Sequence, residues 1–320
     1  MKTRYALMFL VLAAVSQVIQ AQSLAWPLKP VRTIVPMLPG GNADIVARMI
    51  TAKLSEELGQ QFIVDNRAGA GGSIGASILA HANPDGYTII IMSSSYAANA
   101  ALYTLPYDPI KDIAPISLIS VVPFILAVHP SVKAGTLKEF VELTRGKPRS
   151  LNFGSPGTGS APHLTAVLFQ QMAKIEMVHI PYKGDGAAII DLIGGQIQAT
   201  FATGVVLTPH MTAGKLRGLA VTTEQRSPAN PDLPPINEVV PGYSVAGWTG
   251  VLAPAGMPKE IVIHLNRALA RILKLSEVQE RLRAGGAEPT YTTSEEFRRL
   301  IVQDISKWSH VVKSADIKVD

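Results

Sequence analysis

The sequence predicts an α/β fold with two lobes, and three features of the chain point to it. Short apolar runs of strand length alternate with longer segments whose apolar residues recur at helical spacing. This series occurs twice, once in each half, and the chain after residue 258 is helical with almost no strand. Such alternation favours parallel, twisted sheets with helices on both faces. Two series favour two lobes.

The first series occupies the first 128 residues. Its clearest helix is Asp44–Leu58, where apolar side chains recur every three or four residues, and a second helix is predicted from Ser73 to about Ala82. The predicted strands are Val31–Met37, Phe62–Asn66, Tyr87–Met92 and Ile116–Val128, the last interrupted by Pro123.

The second series begins at Leu151 and repeats the pattern. Its predicted strands are Leu151–Gly154, Glu176–Ile180, Gln198–Ala202 and Leu216–Thr222. Its predicted helices are Ser160–Lys174, Gly186–Ile193 and Pro209–Ala213.

The tail follows a predicted strand at Val245–Pro254. Its predicted helices are Lys259–Leu273, Glu277–Ala284 and Ser294–Ala315. Thr293 and Glu296 stand at capping-box spacing before the last of them. We expect the tail to pack back on the first lobe. The expected boundaries are 26–125 plus 248–320 for lobe one, 126–247 for lobe two, and 121–128 with 245–253 for the hinge.

The N-terminus has the order of a secretory signal peptide. Lys2 and Arg4 precede an apolar run from Ala6 to Val15. A membrane span needs about 20 apolar residues, so the alternative of an uncleaved anchor fits less well. We expect residues 1–25 to be removed, with cleavage after Ala25 or, as an alternative, after Ala21, and the mature protein to reside in the periplasm.

Composition excludes several classes of partner and chemistry. Loss of residues 1–25 lowers the formal charge from +5 to +3, and the basic residues form no long run, so nucleic-acid binding has no support. The chain has no cysteine, which rules out disulfides, thiolate metal sites and cysteine nucleophiles.

Two strand-to-helix turns carry the clearest sign of a ligand site. They are 39–44 and 154–160, rich in glycine and small polar residues. A helix N-terminus at the carboxyl edge of a sheet binds anions through free backbone N–H groups and the helix dipole. The predicted ligand-binding residues are Gly41, Asn42, Ala43, Asp44, Ser155, Thr158, Gly159, Ser160 and His163, with Ser94, Ser95 and Thr203 as polar residues at strand ends.

The alternative for these turns is a purely structural one. Ser160 or Asp44 would then only cap a helix, although Asp44 could instead hold a ligand amine. Lys183, in a third turn, is either a cation at the mouth of the site or an exposed lysine. Trp248 is more typical of packing at a hinge than of ligand stacking.

The sequence contains neither a phosphate-binding motif nor a hydrolase motif. No Gly-x-x-x-x-Gly-Lys-Ser/Thr sequence is present, and Gly-x-Ser-x-Gly around Ser155 would need glycine where Phe153 stands. A serine hydrolase that uses Ser155 and His163 stays open as an alternative. The seven histidines show no metal-ligand spacing. We therefore expect no catalytic residue, no metal and no cofactor.

Together these segments resemble the Bug family, the extracytoplasmic receptors of tripartite tricarboxylate transporters. The matching segments, in order, are 39–41 with Asp44, 64–67, 69–72, 84–88, 152–155 with Gly157, 159–160, 163–164, 181–184, 191–192, 195–196, 226–228, Trp248 and 253–256. They cover essentially the whole chain after residue 25.

The resemblance implies a type II periplasmic binding protein with two lobes, a hinge and a central ligand cleft. It implies a small carboxylate or amino acid held by the loops that match 39–44 and 154–160, with the membrane components of a tripartite tricarboxylate-type transporter as partners. We expect ligand binding to accompany closure of the lobes. A protein that presents its ligand to a membrane sensor would have the same fold and is a second alternative.

This chain departs from the family pattern at Asn42-Ala43, at Gln198 and along 201–204. These changes lie near the regions that select the ligand. They leave its identity open.

Overall fold

The computed structural model describes residues 26–37, 39, 42–182 and 184–318. The predicted signal peptide, Gly41 and Lys183 lie outside these ranges. Within the described ranges, none of the helices combines the length and the hydrophobicity needed to cross a bilayer.

Ten strands lie in the described part of the chain. They are β1 (Val31–Val35), β2 (Phe62–Asn66), β3 (Thr88–Ser93), β4 (Ile113–Val128), β5 (Asn152–Ser155), β6 (Val178–Pro181), β7 (Ala199–Thr203), β8 (Arg217–Val221), β9 (Ala246–Pro254) and β10 (Glu288–Pro289). Every predicted strand is confirmed with small shifts at its ends, and β10 is an addition.

The same ranges contain ten α-helices. They are α1 (Asn42–Leu58), α2 (Ser73–Ala80), α3 (Ser95–Leu102), α4 (Leu137–Gly146), α5 (Ala161–Ala173), α6 (Asp185–Ile193), α7 (Gly204–Thr212), α8 (Lys259–Ile272), α9 (Ser276–Ala284) and α10 (Ser294–Ser314). The predicted capping box at Thr293 and Glu296 is confirmed. Helices α3 and α4 were not predicted, and α7 begins at Gly204 rather than at Pro209, which lies inside the helix.

The two halves of the structure share one strand order. In the first half it is β2-β1-β3-β9-β4, and in the second half it is β6-β5-β7-β4-β8. The first three strands of each half are parallel, as expected. The fourth strand of each half, β9 or β4, runs antiparallel to its neighbours because the chain enters it from the other half. The expected parallel arrangement is thus found in the first three strands of each half, and β4 and β9 depart from it.

Strand β4 belongs to both halves. It pairs with β9 from Ile113 to Pro123 and with β7 from Phe124 to Val128. The predicted interruption at Pro123 is not observed. Pro123 lies where β4 changes partner, and a strand tolerates a missing N–H at such an irregular point.

Helices cover both faces of the sheet in each half. On β3, the side chains of Ile89 and Ile91 pack with α1 and α8 on one face, while those of Ile90 and Met92 pack with α2 and α10 on the other. On β4, alternate residues from Phe124 to Val128 pack with α4 and α5 or with α6 and α7. This alternation is the period-two pattern of a strand buried on both faces.

Close packing of β9 against α10 yields a test of the core. A Cβ added at Gly250 would overlap the Phe297 ring and lie 3.1 Å from the Ser117 carbonyl oxygen. We expect Gly250→Ala to lower the free energy of unfolding by about 2 kcal/mol, the usual cost of overpacking. Urea denaturation measures it. Gly146→Ala is the matched control, because nothing lies within 4 Å of a Cβ there. Equal effects of the two substitutions would contradict the predicted clash.

Candidate functional site

The carboxyl ends of the parallel strands in the two halves converge on a short stretch of β4. Ser93, at the end of β3, pairs with Thr249 of β9, which in turn pairs with Ser120 of β4. Thr203, at the end of β7, pairs with Phe124 of β4. β3 runs in the direction of β4 and β7 runs against it, so the two carboxyl edges face each other. Their partners on β4, Ser120 and Phe124, are four residue steps apart, which is about 13 Å.

The second predicted loop is a tightly bonded strand-to-helix turn. Ser160 is the N-cap of α5: its hydroxyl accepts from the His163 amide at 3.3 Å and donates to the Gly157 carbonyl at 2.7 Å. Gly157 and Gly159 have φ of 139° and 78°, which glycine adopts without strain. The capping alternative is thus observed for Ser160.

Most of the loop's backbone donors are already in use. The Gly157 amide donates to the Ser155 hydroxyl, the Gly159 amide to Nδ1 of His163, and the Ser160 amide to the Gly157 carbonyl. Thr158 differs: it is exposed, and neither its amide nor its hydroxyl has a hydrogen-bond partner among the described residues. Of the four loop residues expected to supply donors, Thr158 is the one that retains them.

Three rings lie beneath this loop. The imidazoles of His163 and His179 stack with centroids 3.9 Å apart, and the Phe153 ring lies 4.9 Å from that of His179. Phe153 and His179 are paired residues of β5 and β6, whereas His163 comes from the first turn of α5. Only 5% of His163 is exposed. Burial lowers the pKa of each histidine to about 4, and the neighbouring His179 contributes to the shift of His163.

Ser155 contacts His179 and not the histidine predicted as its partner. Its hydroxyl lies 2.7 Å from Nε2 of His179, and none of its surface is exposed. Nδ1 of His163 accepts the Gly159 amide instead. The Ser155–His163 pair of the hydrolase alternative is therefore not formed, and Ser155 lacks the access to solvent that a nucleophile needs.

The first predicted loop is described from the start of α1. Asn42 and Ala43 open that helix. Asp44 is 2% exposed and accepts from Nε of Arg48 and from the Asn66 side chain, both at 2.9 Å. Its carboxylate thus ties the end of β2 to the first turn of α1, where a negative charge also favours the helix dipole.

Ser94 and Thr203 occupy equivalent places in the two halves. Ser94 directly follows β3 and Thr203 is the last residue of β7; each is the N-cap of the next helix, and neither side chain makes a capping hydrogen bond. The Ser95 hydroxyl, in contrast, lies 3.0 Å from the Gly71 carbonyl and 2.9 Å from the Ser93 hydroxyl. Ser94 and Thr203 therefore present hydroxyls at the two facing edges, while Ser95 holds the neighbouring turn.

The described residues contain no group of three His, Asp or Glu side chains that could hold a metal ion. The structure places His179 against Ser155 and His163 at the second loop. From the sequence, the spacing of this histidine bore only on metal binding.

The buried histidines make stability depend on pH. Their pKa values of about 4 lie below the ordinary value of 6.5, so the unfolded chain binds more protons between those pH values. Stability should therefore fall as pH drops from 6.5 to 4, by about 3 kcal/mol for the nearly buried His163. Urea unfolding across this range measures the loss. His163→Asn should reduce it, and substitution of the exposed His310 should not; equal slopes in all three proteins would rule the histidine pair out as the cause.

Comparisons with known proteins agree with this architecture. The chain is 33% identical over 315 residues to protein BugT of Bordetella pertussis, which covers 97% of this chain and 96% of the relative. It is 39% identical to Rpa4515 of R. palustris, solved with adipate, with a TM-score of 0.76 over 92% of this chain and 99% of that one. It is 33% identical to MatC of Rhodopseudomonas palustris, solved with malate, with a TM-score of 0.72 over 90% and 100%.

A family model for the tripartite tricarboxylate transporter family receptor matches residues 46–317. Receptors of this family are periplasmic solute-binding proteins. The predicted fold class, an α/β type II periplasmic binding protein with two lobes, a hinge and a central cleft, is confirmed by the solved structures of this kind. The chain belongs to the tripartite tricarboxylate transporter receptor family, the Bug family that its sequence resembles.

Proposed function

We propose that this receptor captures a small dicarboxylate in its cleft and delivers it to the membrane components of a tripartite transporter. The observation that carries the proposal is the convergence of two equivalent carboxyl edges on residues 120–124 of β4. Ligands of open α/β sheets bind outside such edges. The solved relatives with adipate and malate support a dicarboxylate as the class of ligand.

Neutral donors would hold the carboxylates. Thr158 offers an amide and a hydroxyl at the second loop, and the N-terminus of α1 would supply further amides from the other half. The hydroxyls of Ser94 and Thr203 stand at the ends of the equivalent strands. Hydrogen bonds to an ionised acceptor are about twice as strong as neutral ones, so a few such donors suffice. The N-terminal ends of α1 and α5 add favourable dipoles.

We propose lobe boundaries at 26–125 plus 248–320 and at 126–247. The change of partner on β4 after Pro123 and the start of β9 at Ala246 support this division. The tail is not confined to one lobe, because Trp308 and Val311 of α10 pack in the same core cluster as α5. A hinge at the two crossing strands would let the lobes close on the ligand.

We also propose that the protein has no enzymatic activity and acts in the periplasm after removal of residues 1–25. The receptor family and the burial of Ser155 support the first point. The charged-then-apolar N-terminus supports the second.

A ligand screen tests the class of solute. The protein is expressed with its own leader, purified from the periplasm and melted with adipate, malate and other small carboxylates. A true ligand at 100 times its Kd adds about 2.7 kcal/mol of stability. The uncharged analogue 1,6-hexanediol is the matched control for adipate. If a neutral solute raises the melting temperature and no carboxylate does, the proposal is wrong.

The second loop should be sensitive to its glycine conformation. Gly159→Ala places a side chain at φ 78°, which an L residue rarely adopts, and we expect it to weaken carboxylate binding at least tenfold by turning the loop. Gly214→Ala is the matched control, because its φ is 68° and a Cβ there meets nothing within 4 Å. Titration calorimetry measures both. Equal affinities in the two variants would place the binding donors elsewhere.

A further inference from the structure

His163 has a hydrogen bond that fixes its protonation state. The Gly159 amide can only donate, and it lies 3.0 Å from Nδ1 of His163. Nδ1 must therefore be unprotonated, and the neutral ring carries its proton on Nε2. The stacked ring of His179 and the low exposure of His163 oppose a positive charge at this place.

This bond acts on the backbone next to the donors proposed for the ligand. It crosses from the first turn of α5 to Gly159, a residue with φ 78° that has many other conformations open to it. Ser160 anchors one side of Gly159 by capping α5, and Ser155 anchors Gly157 from the other side. Without the acceptor on His163, the Gly159 peptide would be the unrestrained unit between these anchors.

The imidazole of His179, which stacks on that of His163, is itself held in place. His179 lies between Ser155, whose hydroxyl is 2.7 Å from Nε2, and the stacked ring of His163. Phe153 stacks on the same group, with 4.9 Å between its centroid and that of His179. The imidazole that carries the acceptor atom therefore packs against side chains from two strands, β5 and β6, which restrict its movement.

We propose that His163 is a positioning residue for ligand binding. Through its unprotonated Nδ1 it holds the Gly159 peptide, and so directs the free amide and hydroxyl of Thr158 to the ligand without contacting the ligand itself. The inference rests on the proposed function of the second loop, and it replaces the earlier expectation that His163 lines the ligand site.

Two substitutions separate the hydrogen bond from the ring packing. His163→Asn keeps an acceptor, Oδ1, three bonds from Cα as Nδ1 is, and loses the stacked ring. His163→Phe keeps a ring against Phe153 and His179 and loses the acceptor. Adipate and malate titrations give affinity, and amide hydrogen exchange of Gly159 by NMR reports the bond directly.

We expect His163→Phe to fold, to bind about tenfold more weakly and to exchange the Gly159 amide faster, the usual effect of one lost hydrogen bond. His163→Asn should stay close to the original protein in both measurements. If packing alone matters, the order reverses and His163→Phe is the better binder, which would overturn the proposal.

The amide measurement keeps this inference separate from the proposed function. If the original protein binds no carboxylate, the proposed ligand class fails, while exchange at Gly159 in the two variants still tests whether Nδ1 holds the loop. If exchange is the same in all three proteins, the positioning role is wrong whatever the ligand. Folding of each variant is checked by its urea midpoint.

Discussion

The sharing of β4 between the two halves is the constraint on which the rest of the structure depends. Because one continuous strand pairs with β9 up to Pro123 and with β7 from Phe124, the two sheets cannot be placed independently. Strand β4 is the last strand of the first half and the fourth strand of the second. In each half, the fourth strand is therefore the one that arrives from the other half, and the two halves have the same order. It also makes their parallel strands point at each other. A ligand cleft between two carboxyl edges follows from this connectivity before any polar side chain is considered.

The polar groups then divide into those that build the cleft and those left for a ligand. Asp44, Ser95, Ser155 and Ser160 look like binding residues in a sequence, yet each makes hydrogen bonds within the protein that hold a turn in shape. Buried polar groups need such partners, so the chain satisfies its own turns first. Among the described residues, the donors proposed for the ligand at Thr158, Ser94 and Thr203 are neutral. Rigid, neutral donors suit a receptor, because they bind an anion without a buried cation and release it when the lobes open.

Periodicity predicts most of the strands and helices in their order, while helices α3 and α4, the short strand β10 and the directions of β4 and β9 needed the structure. Helix α3 is rich in alanine and buried on several sides, so it lacks an amphipathic pattern. Helix α4 was overlooked even though Thr136 and Glu139 form a capping box that the sequence displays. The second loop leads from a strand into a helix as the sequence predicts, but the position of His179 beside it depends on the register of β5 with β6, which no local pattern encodes.

Helix α10 limits how the lobes can move. Phe297 and Ile301 pack in the core of the first half, while Trp308 and Val311 pack with α5 of the second, and the Gln171 side chain donates to the Ser314 hydroxyl at 2.9 Å. The same helix holds β9, since Asp304 accepts from the indole of Trp248 at 2.9 Å. Closure must therefore either preserve the contact between α5 and α10 as a pivot or slide one helix along the other. A pivot costs less, because packed side chains shift in discrete steps and this contact lies beside the crossing strands. The tail thus packs against both cores and, with the proposed hinge at β4 and β9, would favour rotation of the lobes as rigid bodies.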